Sequence, residues 1–213
     1  MKKLAVALTA LSLITLVSCK QDEIPAKLAE TPAAPTAGQG TTDVTKFVNP
    51  HAVLTTGFGA IEIELMTKDA PISALNFINK AVAKAFDGTT FHRLVPGFVI
   101  QGGDPNSKDA DPNNDGMGGD RMDAEPRKHS NLRGTVSMAS SSRAAPIADQ
   151  SDMQFFINLD DQCARLDGMG FIPFGKVVKG MDVVDIIAKQ PRGANDRPTK
   201  NVTITSVTIV EGK

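Results

Sequence analysis

One stretch constrains this chain more than any other: Phe91-His92-Arg93-Leu94-Val95-Pro96-Gly97-Phe98-Val99-Ile100-Gln101-Gly102-Gly103-Asp104. A cation and an amide lie among apolar side chains, after a Pro-Gly turn signal and before a Gly-Gly exit. Side chains alternate across a strand, so a short strand here sends Arg93, Val99 and Gln101 to one face and Phe98 and Ile100 to the other. Such a grouping reads equally as a site or as an ordinary buried strand whose one arginine keeps its head in water.

Phe91-His92-Arg93, Pro96-Gly97-Phe98 and Gln101-Gly102-Gly103-Asp104 together resemble the signature of the cyclophilin-type peptidyl-prolyl isomerases. Further blocks resemble the family in the same order. Ala70-Pro71-Ile72-Ser73-Ala74-Leu75-Asn76-Phe77 is similar to its first helix, and Gly134-Thr135-Val136-Ser137-Met138-Ala139 to its central strand. Gln154-Phe155-Phe156-Ile157 and Phe174-Gly175-Lys176-Val177 are similar to its later core strands. The likeness runs from about residue 48 to 213.

That resemblance implies a mainly β fold, a closed eight-stranded antiparallel β-barrel capped by two α-helices. It implies a reaction without cofactor or metal, the rotation of Xaa-Pro bonds, with Arg93 as the catalytic residue. Phe98, Val99, Phe156 and Leu166 would form the apolar pocket for the proline ring, and Gln101 with the backbone at Ala139 and Ser140 would hold the peptide. Phe171 stands nearest to a pocket histidine of the family, in a stretch slightly longer than the common form. Val99 replaces the usual methionine, Ser140 an asparagine, and Arg165 a tryptophan carried by many members.

The 213 residues, 41% of them hydrophobic, suffice for one well-buried domain plus appendages, and a formal charge of -1 offers no nucleic-acid footprint. Residues 1–18 read as a signal peptide: Lys2 and Lys3 precede an apolar run, Leu4 to Val17, too short to span a bilayer comfortably. Leu16-Val17-Ser18-Cys19 resembles the bacterial lipobox, which implies acylation of Cys19 and a membrane anchor. Lys20, where an aspartate would retain the protein in the inner membrane, favours the outer membrane facing the periplasm. Lys20-Gln21-Asp22-Glu23 also resembles tethers that send lipoproteins to the cell surface. Residues 19–47, with Pro25, Pro32 and Pro35 among alanines and threonines, read as an extended tether. With Cys19 acylated, Cys163 has no partner for a disulfide.

The domain, 48–213, opens with a strand pattern from Ala52 to Leu65, turned at Gly57 and Gly59. Asp69 and Pro71 mark a helix start, with Ile72, Leu75, Ile78 and Val82 predicted on one face and an end near Asp87-Gly88. A polar loop follows from Pro105 to about Arg133. Asp111, Asn113, Asp115 and Gly116 open like an EF-hand, but Met122 stands where the closing glutamate belongs, so calcium is not expected there. Strands are predicted over Gly134–Ala139, Met153–Asn158, Phe171–Val178 and Val202–Val210. A second helix after Gly180 carries Met181, Val184 and Ile187 on one face.

His92 reads as a buried, satisfied structural residue. His51 and His129 lack metal-ligand spacing, and Ser137, Ser140, Ser141 and Ser142 lack the glycine pattern of a nucleophile elbow, which argues against a hydrolase. The expected function is an envelope lipoprotein that isomerises Xaa-Pro bonds in exported, partly folded proteins, acting as a monomer. The alternative is a tethered chaperone or surface ligand of the same fold with vestigial activity.

Overall fold

The computed structural model describes residues 48–141 and 146–212. The signal peptide, Cys19 and the tether fall outside the described residues.

The first two strands, β1 (Pro50–Thr56) and β2 (Gly59–Leu65), form the expected hairpin. Ile61, Ile63 and Leu65 enter the core while Glu62 and Glu64 face outward, as period-two alternation requires. Then come α1 (Pro71–Val82), β3 (Arg93–Val95), β4 (Val99–Gly102), β5 (Arg121–Asp123), β6 (Thr135–Met138), β7 (Asp149–Ser151) and β8 (Phe155–Asn158). The chain ends with β9 (Pro173–Lys179), α2 (Met181–Ala188) and β10 (Ile204–Glu211). Eight strands form one antiparallel sheet in the order β10-β1-β2-β9-β6-β8-β4-β3, and β5 pairs with β7 as a separate ribbon.

The sheet curls, but its edge strands β10 and β3 are not joined by a ladder. Closure is a short stitch. The residues just before β3 meet those just before β10, with one bridge at Thr90 and Thr203. Phe91 N donates to Val202 O at 2.9 Å and Ile204 N to Thr89 O at 2.7 Å. The barrel is therefore nearly rather than fully closed.

The buried face of α1 is Ala74, Phe77, Ile78 and Ala81, one step round from the predicted stripe. Ile72 and Leu75 are exposed, because the small alanines let the helix lie close to the sheet while Phe77 fills the barrel. Phe77 stacks on Phe86 at 4.6 Å and meets Phe155 edge-on at 5.4 Å. The helix ends at Val82, earlier than read, and turns carry the chain on to Gly88.

Asp69 does not cap α1. Its carboxylate meets His129 Nε2 at 2.8 Å and Lys128 Nζ at 3.4 Å. The first helical amides are instead satisfied by the buried Glu125, which accepts from Ile72 N, Ser73 N and Ser73 Oγ at 3.0, 2.8 and 2.6 Å. A carboxylate from the long loop thus answers the orphan donors and positive end of the helix.

Candidate active site

Arg93 and Gln101 are directly opposed in the β3–β4 ladder, so their side chains share a face. The turn between them has Pro96 and Gly97 at its centre, with φ +71° at Gly97 and Phe98 N donating to Val95 O at 2.9 Å. Glycine takes that positive φ at no steric cost. At the other end, Gly103 has φ +85°, and a β-carbon there would stand 2.6 Å from Met153 O.

Phe98 corrects the parity argument. It lies in the turn, outside the strand, and packs with Val99 on the site face. Val99, Ala139, Phe156, Cys163 and Leu166 form a small apolar cluster apart from the main core, with Phe98 and Phe171 against it. Above this cluster is a pocket of about 260 Å³, which Arg93, Gln101, Ala139, Ser140, Phe156, Leu166 and Phe171 line with Phe98 and Val99. Phe171 meets Phe156 edge-on at 5.4 Å. Every residue expected at the catalytic and peptide site therefore lines this one pocket, while Cys19 lies outside the described residues.

Arg93 Nη1 lies 3.5 Å from Gln101 Oε1, so the guanidinium is only lightly held where it lines the pocket. Gln101 Nε2 donates to Gln154 Oε1 at 3.1 Å, and Gln154 Nε2 to Gly118 O at 2.8 Å. This chain of amides fixes one edge of the pocket. Arg165 places its guanidinium 4.5 Å from the Phe98 ring centre. A cation stacked on an aromatic face thus forms one rim of the pocket.

Sequence reasoning missed several supports. A 3-10 segment, Asp161–Met169, carries Leu166 and Met169 to the pocket. Buried Asn131 ties that segment to the barrel. Its Nδ2 donates to Asp167 Oδ1 at 2.8 Å and Phe171 O at 3.0 Å, while its Oδ1 accepts from Ser137 Oγ at 2.8 Å. Cys163, although its sequence neighbours Asp160, Asp161 and Gln162 are polar, is buried under the pocket with Sγ 3.1 Å from Phe98 O. Burial pushes its thiol above the usual range.

Asp104 caps the next turn, accepting from Asn106 N at 2.9 Å, and also accepts from Gly116 N. In the loop beyond, Asp111 Oδ1 accepts from Asn113 N at 2.9 Å and Asp115 pairs with Arg197. Those oxygens are committed to the protein itself. His51 pairs with Glu62 at 2.7 Å on β1. His92 is buried as expected; neither ring nitrogen has a partner at full hydrogen-bond geometry, and the Thr90 backbone is its one hydrogen-bonding neighbour. Burial holds its pKa below the ordinary value, with the nearby Asp104 charge opposing.

A curled eight-stranded antiparallel sheet with two helices, carrying an apolar pocket flanked by an arginine and a glutamine, defines the fold class as cyclophilin-like. Residues 51–209 match the family model for cyclophilin type peptidyl-prolyl cis-trans isomerases. The chain is 38% identical over 172 residues to peptidyl-prolyl cis-trans isomerase A of Dickeya dadantii, covering 76% of this chain and 83% of that protein. It is 38% identical over 159 residues to an Arabidopsis thaliana peptidyl-prolyl cis-trans isomerase, covering 73% and 93%. A crystal structure of a Cryptosporidium parvum cyclophilin, determined with the dipeptide Ala-Pro, superposes with a TM-score of 0.67 at 26% identity, covering 76% of this chain and 99% of that one. The chain belongs to the cyclophilin-type peptidyl-prolyl isomerase family.

Proposed function

We propose that residues 48–213 catalyse rotation about Xaa-Pro bonds, with Arg93 as the catalytic group. The observation that carries the assignment is the lightly held Arg93, set beside Gln101 at the mouth of the apolar pocket. Amide rotation faces a barrier of about 18–20 kcal/mol because the nitrogen lone pair is shared with the carbonyl. In the twisted amide that lone pair localises and becomes an acceptor. The guanidinium donates to it there and not to the planar amide, so the interaction favours the transition state selectively. No bond to the enzyme forms.

Raising exchange from about 0.01 to about 100 per second needs about 5.5 kcal/mol. One charge-assisted hydrogen bond supplies about 1.5–3 kcal/mol. The remainder falls to Phe98, Val99, Phe156, Leu166 and Phe171, which grip the ring and exclude water, and to Gln101 with the Ala139 and Ser140 backbone, which hold the peptide.

The substrates are proline-containing segments of exported, incompletely folded proteins. Residues 1–18 direct export, and acylated Cys19 with the tether to residue 47 places a monomeric domain at the outer membrane, on its periplasmic side. The lipobox-like sequence supports the anchor. Exchange in an Ala-Ala-Pro-Phe peptide, followed by NMR for the whole chain and for Arg93→Ala, tests the activity. Acceleration by the parent and a loss of tenfold or more in the variant are expected; binding without acceleration would leave a proline-peptide receptor. Mass spectrometry of the Cys19→Ser protein against the parent tests the anchor.

A further inference from the structure

A second and larger cavity, about 950 Å³, adjoins the proline pocket and shares Arg93 and Gln101 with it. One wall is the loop through Pro112 and Asp115. The other is a hairpin whose tip is Asn195 and Asp196, with φ +57° and +59° and Arg197 N donating to Ala194 O at 3.2 Å. Two successive left-handed residues closed by that bond make a type I′ turn, a rigid tip for a wall. The Asp115–Arg197 ion pair ties the walls together.

Charges in this cavity are not evenly answered. Asp115 faces Arg197, and Asp196 faces Arg192 at 3.7 Å. Arg93 makes no ion pair among the described residues, and its one partner there is the neutral amide of Gln101 at 3.5 Å. His92 adds to the lining. It is 6% exposed, neither ring nitrogen has a partner at full hydrogen-bond geometry, and its neighbours are the Thr90 backbone and the Asp104 carboxylate. One of those nitrogens carries hydrogen in any protonation state, so it is a donor at a cavity wall that the Thr90 backbone holds only at poor geometry.

We propose that this cavity is a subsite for an acidic side chain adjoining the substrate's proline, with the Arg93 guanidinium and the His92 N–H as its donors. A carboxylate matches what the wall lacks: it accepts hydrogen bonds only, and it answers the uncompensated charge. The inference rests on the isomerase reading and adds a consequence. A carboxylate on Arg93 competes with the twisted prolyl nitrogen for the same guanidinium, so acidic substrates bind more tightly and turn over more slowly.

The test is a set of proline peptides differing only in Glu or Gln, placed directly before or directly after the proline, assayed with the whole chain. At one of the two flanks the Glu peptide shows a KM at least about fivefold lower than its Gln partner, together with a lower kcat, at about 0.02 M salt. The gap closes toward unity at about 0.5 M salt. The His92 ring ¹⁵N resonances move on adding that Glu peptide and not its Gln partner, and His92→Phe narrows the KM ratio. Equal KM values for Glu and Gln at both flanks, or unmoved His92 resonances, overturn the subsite. Turnover of the Gln peptides is scored separately and decides the isomerase reading alone.

Discussion

Asn131 holds Asp167 with two donors at once: its backbone amide and its side-chain amide reach the same Oδ1 at 2.9 and 2.8 Å. The same side chain also bonds Phe171 O and accepts from Ser137 and Asn158, so one buried amide joins the pocket's outer wall to β6 and β8. Asn131→Ala leaves several buried groups unpaired and is expected to cost about 2–4 kcal/mol. Urea unfolding checks the magnitude. Peptide KM should rise further than kcat falls, since Phe171 moves while Arg93 does not.

Arg93 has one long hydrogen bond and no ion pair among the described residues, so its removal should cost little stability. Arg93→Ala is expected to lower kcat/KM about 10- to 150-fold, the equivalent of losing a charge-assisted bond of about 1.5–3 kcal/mol. Arg93→Lys keeps the charge without the fork and should fall between the two. Thermal unfolding midpoints within a few degrees of the parent would confirm that the loss is chemical.

Much of the site was legible because it lies close in sequence: Arg93, Val99 and Gln101 share one hairpin, and period two fixes their face. Phe98 escaped that rule by sitting in the turn. The α1 stripe was misjudged because hydrophobicity marks Ile72 and Leu75, whereas burial depends on which face can approach the sheet, and alanines approach best. Glu125 and Asn131 were invisible. Their roles come from contacts far along the chain, and nothing local distinguishes them from loop residues. Barrel closure was overstated because strand counting does not reveal whether the two edges meet by a ladder or by one bridge.

Glu125 accepts three hydrogen bonds at the start of α1, where Ala70 offers no side-chain cap. Glu125→Ala should cost about 2–4 kcal/mol, combining a lost cap with buried unpaired donors. Glu125→Gln retains one acceptor and should cost roughly half of that. A fall in urea midpoint with unchanged slope would locate the effect in stability. Isomerase kinetics should be preserved in both proteins below the transition, because this helix end is not part of the pocket lining.

His92 gives stability a distinct pH signature. Burial lowers its folded-state pKa, and the unfolded chain titrates near the ordinary value of about 6.5. Above that pH the ring is neutral in both states and contributes no slope. As pH falls below about 6.5 the unfolded chain takes up a proton that the folded chain refuses, so stability declines by up to about 1.4 kcal/mol per pH unit until the lower folded pKa is reached. His92→Phe removes this proton and should leave unfolding free energy flatter between about pH 6.5 and 5. At pH 7.5 the variant should be as stable as the parent or slightly more so, because two poorly partnered ring nitrogens leave the interior. Parallel curves for the two proteins between pH 7.5 and 5 would show that the folded His92 ring titrates like that of an unfolded chain.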